Sequence, residues 1–265
     1  MLRLLLLSCA FLLIHIAFLL NQTTAQAQPA AGSASSVIDA PLPVQVVVEN
    51  LQKNNALRAA ALTQFVGTRV YRVQYRGFPS DHDAEMVVHV AFHAPSSKEF
   101  TVVSQTGSKF IGDHIFKKLL EGEQEAGNEE NRRHSTLNTE NYNFALAGYE
   151  NSPDGARYIL DLFPKTKNKF LYRGKIWVDA KDFAVVRIEA EPAKNPSFWI
   201  KKTDVVHRYV KVDDFWLPAE NHSESYIRIG GKATLSIEYR DYKIVEALPL
   251  NQPEHAQTMA PTQLP

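Results

Sequence analysis

The feature that most limits the fold is a series of segments, most of them in the second half of the chain, in which apolar and polar residues alternate. In the last of these, "ATLSIEYRDY", one phase is apolar and the other polar: Ala233, Leu235, Ile237, Tyr239 against Thr234, Ser236, Glu238, Arg240. Successive side chains of a strand point to opposite faces of a sheet, so a period of two predicts strands. We therefore expect an antiparallel sheet with one apolar and one solvated face.

Seven alternating segments follow one another after residue 141: "YNFALAGYE", "ARYILDLFP", "FLYRGKIWVDA", "FAVVRIEAE", "DVVHRYVKV", "NHSESYIRI" and "ATLSIEYRDYKI". Three more precede them: "GTRVYRVQYRGF", "AEMVVHVAF" and "KEFTVVSQT". Short connections such as Ser152-Pro153-Asp154-Gly155 and Gly230-Gly231 are typical of hairpins. The pattern predicts about 10–11 consecutive antiparallel strands, and an open sheet of that width must curl or split.

Helical spacing interrupts the alternation in two places. Val44, Val47, Val48 and Leu51 recur at i, i+3, i+4 and i+7 after Pro43, and a second short helix is predicted over Asn55 to Leu62. Further along, Asp113 is expected to cap a helix with apolar residues on one side: Ile115, Phe116, Leu119, Leu120. The predicted fold class is α+β, a large curled antiparallel sheet with two to three helices laid over it.

The N-terminus indicates export. Arg3 precedes an apolar run from Leu4 to Leu20, and the small-residue site Ala25-Gln26-Ala27 follows, as in a cleaved secretory signal peptide. An uncleaved anchor is the alternative, but the run is near the short limit for a bilayer span and His15 interrupts it. We predict a periplasmic protein with a signal peptide over residues 1–27.

Composition divides the rest of the chain into three parts. Residues 28–42 are rich in Ala, Ser and Pro, and residues 247–265 are rich in Pro and Gln, so both are predicted to be flexible or disordered. The folded domain is expected over residues 43–246. Cleavage removes Cys9, the only cysteine, and leaves 28 basic and 29 acidic residues of the 29 and 29 in the full chain. That excludes disulfides and thiolate sites, and indicates no nucleic-acid partner.

The enzyme signatures that we searched for do not occur. There is no Gly-x-Ser-x-Gly motif and no phosphate-binding glycine loop. His89 and His93 lie in a predicted strand, where four residues span about 13 Å, too far for one metal ion. We predict no catalytic residue, no metal and no cofactor. A hydrolase whose site is assembled from distant residues is a further alternative.

Strand phase and apolar character select the residues expected to line the concave face: Val70, Met86, Val88, Val90, Phe100, Ile176, Val186, Ile188, Phe198, Leu235, Ile237. The residues Ile115, Phe116, Leu119 and Leu120 would form a lid over them. In "KNPSFWIKK", a strand over Ser197 to Val212 would place Phe198 and Trp199 on opposite faces. Phe198 would then join the concave side, and Trp199 would be covered by a neighbour or lie at the rim.

Three motifs indicate a relationship to a known family: "GKIWVDAKDFAVVRIEA", "VKVDDFWLPAEN" and "LSIEYRDYKI". They resemble those of the outer-membrane lipoprotein-sorting family, the LolA-like periplasmic carriers. The similarity covers roughly Val44 to Val245. In that family an unclosed barrel holds acyl chains on its concave apolar face beneath covering helices. The same fold occurs in a lipoprotein receptor and in a sensor that restrains an anti-sigma factor protease cascade.

The resemblance implies that the curled sheet is an unclosed β-barrel with two to three helices covering its concave face. It also implies a monomeric, non-enzymatic carrier that binds a lipid or acylated lipoprotein and touches membranes only transiently. It would serve lipoprotein sorting or envelope lipid transport. The alternative is an envelope sensor or assembly factor that binds a protein partner through the same fold.

Overall fold

The computed structural model describes residues 41–250, except 196 and 229, and the predicted signal peptide therefore lies outside the described residues. The first half contains α1 (Val44–Ala61), β1 (Leu62–Arg76), β2 (His82–His93), β3 (Ser97–Gly107), α2 (Lys109–Ile111), a π-helical turn (Gly112–Phe116), α3 (Lys117–Ala126) and α4 (Glu129–Ser135). The second half contains β4 (Tyr142–Ser152), β5 (Gly155–Pro164), β6 (Tyr172–Asp179), β7 (Val185–Pro192), β8 (Ile200–Val212), β9 (Phe215–Ile227) and β10 (Lys232–Ala247).

All ten strands form one antiparallel sheet in the order β3-β2-β1-β10-β9-β8-β7-β6-β5-β4. The first three strands join the other seven because β1 pairs with β10, with Tyr71 opposite Ile237 and Val73 opposite Leu235. β3 and β4 remain as the two edges, so the sheet does not close. The predicted α+β class and the unclosed, curled antiparallel sheet are confirmed.

The helices differ from the prediction in two details. One continuous helix, α1, replaces the two predicted helices before β1, because Asn54 and Asn55 continue directly into the alanine-rich end of the helix, which favours helix. The second helical region begins after Ser108 rather than at Asp113, which lies inside the π-helical turn. Within the described residues, no helix is both long and apolar enough to cross a bilayer.

The helices pack on one side of the sheet, called the inner face below. The opposite, outer face carries ion pairs between neighbouring strands: Arg72 with Glu85 and Glu238, Lys232 with Glu224, and Arg208 with Glu220. The predicted solvated side therefore corresponds to this face. Exposed pairs of this kind contribute little stability, so the fold depends mainly on the inner face.

Candidate functional site

A first apolar cluster lies on the inner face beneath the lid segment, defined as residues 109–126. The lid side chains Ile115, Phe116 and Leu119 are buried, and Leu120 is partly buried against them. Five of the predicted lining residues belong to this cluster: Met86, Val88, Val90, Leu235, Ile237. Phe100 is partly buried at its margin. The residues predicted as a lid therefore pack directly on residues predicted as lining.

A second cluster lies beneath α1. Ile176 and Ile188 are buried there together with Val47, Val48 and Leu51 of the helix. The lining residues predicted from the sequence are thus divided between two covers, one formed by α1 and one by the lid segment. A third cluster, around Phe65, Phe92 and Leu217, closes the end of the sheet where β1 begins.

Three of the predicted lining residues lie elsewhere. Val70 is buried but belongs to the opposite phase of β1 from Tyr71, so it lies on the outer face. Val186 is buried at the irregularity where Val178 pairs with Val185, and it belongs to none of the three clusters. Phe198 is 76% exposed.

Phe198 differs from expectation because β8 begins at Ile200 and not at Ser197. Residues 197–199 form a bend and turn, so strand alternation does not apply to them. Trp199 is instead the ring that packs against the first cluster, and the two rings meet edge to face with centroids 5.6 Å apart. Arg228 lies over the exposed ring of Phe198, with its guanidinium carbon 5.1 Å from the centroid.

Sequence reasoning missed a buried polar network at the centre of the inner face. Arg69 on β1, 5% exposed, forms an ion pair with Glu123 on α3, which is 8% exposed. The Tyr71 hydroxyl donates to Oε1 of Glu123 at 2.6 Å, and Nζ of Lys98 lies 3.4 Å from Oε2. Glu123 is therefore the polar tie between the lid segment and the sheet.

Two aromatic rings hold the Arg69 guanidinium in position. Its central carbon lies 5.6 Å from the ring centroid of Phe100 and 5.0 Å from that of Tyr239. Stacking on aromatic faces and charged hydrogen bonds both favour a planar guanidinium in a buried place. Arg69 is thus oriented by the sheet, independently of the lid.

The charged groups of this network shift the pKa of both Glu123 and Lys98. Burial alone would raise the pKa of Glu123, but Arg69, Lys98 and the Tyr71 hydroxyl outweigh it and lower that pKa to about 2. Burial lowers the pKa of Lys98, and Arg69 adds to this, while Glu123 opposes both. One carboxylate therefore faces two cationic side chains.

The polar region continues across β8 and β9. His207 and Asn221 occupy paired positions on these strands, and both are buried. Nε2 of His207 and Oδ1 of Asn221 are buried without a hydrogen-bond partner among the described residues. Burial lowers the pKa of His207 to about 3, so this imidazole is neutral. The centre of the inner face is therefore more polar than the strand pattern suggested.

The two covers are attached differently. Nη1 and Nη2 of Arg58 on α1 donate to the carbonyl oxygens of Asp182 (2.9 Å) and Phe183 (3.1 Å) in the β6–β7 turn. Asn54 adds a bond from Nδ2 to the Asp182 carbonyl at 3.1 Å. α1 is thus fixed to the backbone of the β6–β7 turn, whereas Glu123 ties the lid segment to side chains of the sheet.

A cavity of about 800 Å³ lies between α1 and α4 at one end of the sheet. Its walls are the alanines of the last turns of α1, the turn at Ala94 and Pro95 that leads into β3, and residues 128–133 around α4. Nη1 of Arg132 donates to the Pro95 carbonyl oxygen at 3.3 Å across it. Two of its lining residues, Ala94 and Pro95, are close in sequence to Lys98.

No family model matches the sequence, and no curated protein matches it significantly. Among solved structures, the chain is similar to a DUF1329 family protein from Desulfovibrio piger, at 13% identity and a TM-score of 0.38, over 77% of this chain and 93% of that one. It is also similar to an outer membrane lipoprotein-sorting protein domain from Vibrio parahaemolyticus, at 12% identity and a TM-score of 0.37, over 75% and 92%.

A third similar structure is a LolA superfamily protein from Nitrosomonas europaea, at 14% identity and a TM-score of 0.33, over 79% of this chain and 96% of that one. The structural neighbours thus include the class of protein that the sequence motifs resemble.

Proposed function

We propose that this protein is a periplasmic carrier that holds a lipid, or the acyl chain of a lipoprotein, between the inner face of the sheet and the lid segment. It would act by binding alone, in lipoprotein sorting or envelope lipid transport. The supporting observation is the first cluster, in which Ile115, Phe116 and Leu119 of a separate helical segment are buried together with apolar side chains of six strands. Each CH₂ of an acyl chain buried there would contribute roughly 0.8 kcal/mol.

The ligand would replace the lid side chains on the sheet. In the closed arrangement Ile115, Phe116 and Leu119 occupy the apolar surface that a chain would use. The lid segment is a suitable element to move because Glu123 is its polar tie to the sheet, whereas α1 is bonded to the backbone of the β6–β7 turn. Opening would therefore expose the first cluster and leave the second covered.

The direct test is native mass spectrometry of the chain purified from a periplasm without detergent, followed by organic extraction and lipid identification. A carrier should retain lipid in stoichiometric amount and should take up a fluorescent acyl probe. Leu120→Gln should weaken uptake because Leu120, which packs against the first cluster in the closed arrangement, would cover the bound chain. Val103→Gln, on an exposed side chain of β3, is the matched control. A lipid-free mass together with no probe uptake would contradict the proposal.

Edge strand β3 favours a second candidate function, the binding of a protein partner. Val102 and Val103 on this strand are both exposed, and its outer edge presents backbone groups that no strand of the described sheet pairs. An extended peptide can add to such an edge. A partner-binding protein should retain its partner after delipidation, whereas a carrier should lose its cargo.

A further inference from the structure

The donors around Glu123 belong to the sheet, and only the carboxylate belongs to the lid. Arg69 and Tyr71 lie on β1 and Lys98 lies on β3, while Glu123 lies on α3. If the lid segment lifts, the carboxylate leaves and the three donors remain. Phe100 and Tyr239 would still hold Arg69 in place, because they also belong to the sheet.

The closed network carries an excess of positive charge. Arg69 and Lys98 share Glu123, and no second carboxylate forms an ion pair with either of them in the described part of the chain. Removing Glu123 would leave two cations and a phenol directed at one point inside an apolar face. Cations that lose their counter-ion in an apolar face are unfavourable, so an open lid favours another anion at that point.

We propose that Arg69, Lys98 and Tyr71 form a subsite for the anionic headgroup of an amphiphile, a carboxylate or a phosphate, and that Glu123 occupies this subsite when the lid is closed. The proposal rests on the proposed function and specifies its ligand class. Guanidinium, ammonium and hydroxyl donors are suited to both oxyanions. The lid then competes with the ligand for this subsite. The anionic headgroup binds the donors that the carboxylate of Glu123 leaves.

The surroundings can accommodate the rest of such a ligand. Arg69 is paired across β1 and β2 with Val88, and across β1 and β10 with Tyr239, so the subsite adjoins the first cluster. An acyl chain could follow Val88 and Ile237 once the lid side chains leave. The cavity between α1 and α4 includes Ala94 and Pro95, which precede Lys98 by only a few residues.

The test compares three probes with one acyl chain and different heads: oleyl phosphate, oleate and oleyl alcohol, each below its critical micelle concentration. Affinities are measured by displacement of a fluorescent acyl probe from the full mature chain. The wild-type protein should bind at least one anionic probe about tenfold or more tightly than the alcohol, as expected for a charged hydrogen bond in a buried place. Comparing the affinities of oleate and oleyl phosphate then shows whether the subsite prefers a carboxylate or a phosphate head.

Variants show whether the preference comes from this subsite. Arg69→Met should reduce the ratio of anionic to neutral affinity to within about twofold, because the principal charged donor is lost. Glu123→Gln should raise that ratio, because the competing carboxylate is gone. Glu121→Gln on the same helix, whose side chain is 52% exposed, should leave it unchanged. If Arg69→Met does not fold, Lys98→Met should lower the ratio with the Arg69–Glu123 pair intact.

The outcomes separate the two proposals. Equal affinity for anionic and neutral probes in the wild type, with no change in the variants, would overturn the anionic subsite and leave the carrier function standing. Failure to bind any of the three probes would overturn the carrier function itself. An anionic preference that survives both Arg69→Met and Lys98→Met would also overturn the subsite.

Discussion

The hydroxyl of Tyr71 donates to Oε1 of Glu123 at 2.6 Å, although 52 residues separate them in the sequence. Arg69 and Lys98 approach the other oxygen of the same carboxylate. One side chain of α3 thus meets donors from β1 and β3. The lid segment is consequently held to the sheet both by its apolar contact and by this polar junction, and the two can be tested separately.

Glu123→Gln should destabilise the closed lid, because it leaves Arg69 and Lys98 without a counter-ion. Breaking a buried pair from one side costs about 3–5 kcal/mol, although local opening of the lid would limit the loss of global stability. Urea unfolding should show a reduced free energy of unfolding, and hydrogen exchange should increase over residues 109–126.

Glu121→Gln is the control for that experiment. Glu121 pairs with Lys117 at i, i+4 on the exposed side of the same helix, where such pairs contribute about 0.3–0.5 kcal/mol. Equal effects of the two substitutions would show that the buried junction does not hold the lid.

The same junction should weaken in acid. The pKa of Glu123 is lowered from 4.5 to about 2, so the ionised carboxylate stabilises the fold above pH 4.5, and the contribution is lost as the pH falls towards 2. A shift of that size corresponds to about 3 kcal/mol. The difference in unfolding free energy between the wild type and Glu123→Gln should therefore shrink between pH 4.5 and pH 2. A constant difference across this range would contradict the assignment.

His207 should add a separate acid sensitivity at higher pH. Its pKa is lowered from 6.5 to about 3 by burial, so below pH 6.5 the unfolded chain binds a proton that the folded protein does not. Stability should therefore fall by up to roughly 1.4 kcal/mol per pH unit between pH 6.5 and pH 3.

The replacement His207→Gln should flatten the stability profile between pH 6.5 and pH 4.5, above the window of Glu123. His89→Gln, an exposed histidine on β2, serves as the control. If the profile of His207→Gln stays as steep as that of the wild type, another group is responsible.

Leu119→Ala and Leu235→Ala distinguish a lid from a permanent core. Both leucines are buried in the first cluster, one on α3 and one on the central strand β10. Replacing a fully buried leucine by alanine lowers the free energy of unfolding by about 2–5 kcal/mol. We expect Leu119→Ala to lower global stability less and to increase exchange mainly within residues 109–126, because a lid can open locally. If both variants lose the same free energy of unfolding and hydrogen exchange increases evenly along the chain, the lid unfolds only together with the sheet.

Phe198→Ser should change the free energy of unfolding by less than about 0.5 kcal/mol, because exposed side chains contribute little to stability. Trp199→Ser, which removes a ring that packs on the first cluster, should cost several times more. Thermal unfolding of the two variants compares them directly. A larger effect at Phe198 would contradict the turn at residues 197–199.

Part of the polar network had a signal in the sequence. Arg69 falls in the same phase of "GTRVYRVQYRGF" as Tyr71 and Val73, and His207 shares its phase with Val205. A charged or titratable residue in the apolar phase of a strand predicts a buried partner. Glu123 had no such signal, because it lies in the polar stretch "GEQEAGNEENRR". The identity of the partner was therefore not predictable.

The sequence by itself determined the strands and their antiparallel succession along the chain, because alternation and turn residues act over a few positions. Helical spacing also placed Ile115, Phe116 and Leu119 on one side of a helical segment. Only the tertiary structure decided that α1 and the lid divide the inner face, and that Glu123 meets Arg69. Those contacts join positions far apart in the chain, and their energy depends on burial and charge that exist only once the sheet has formed.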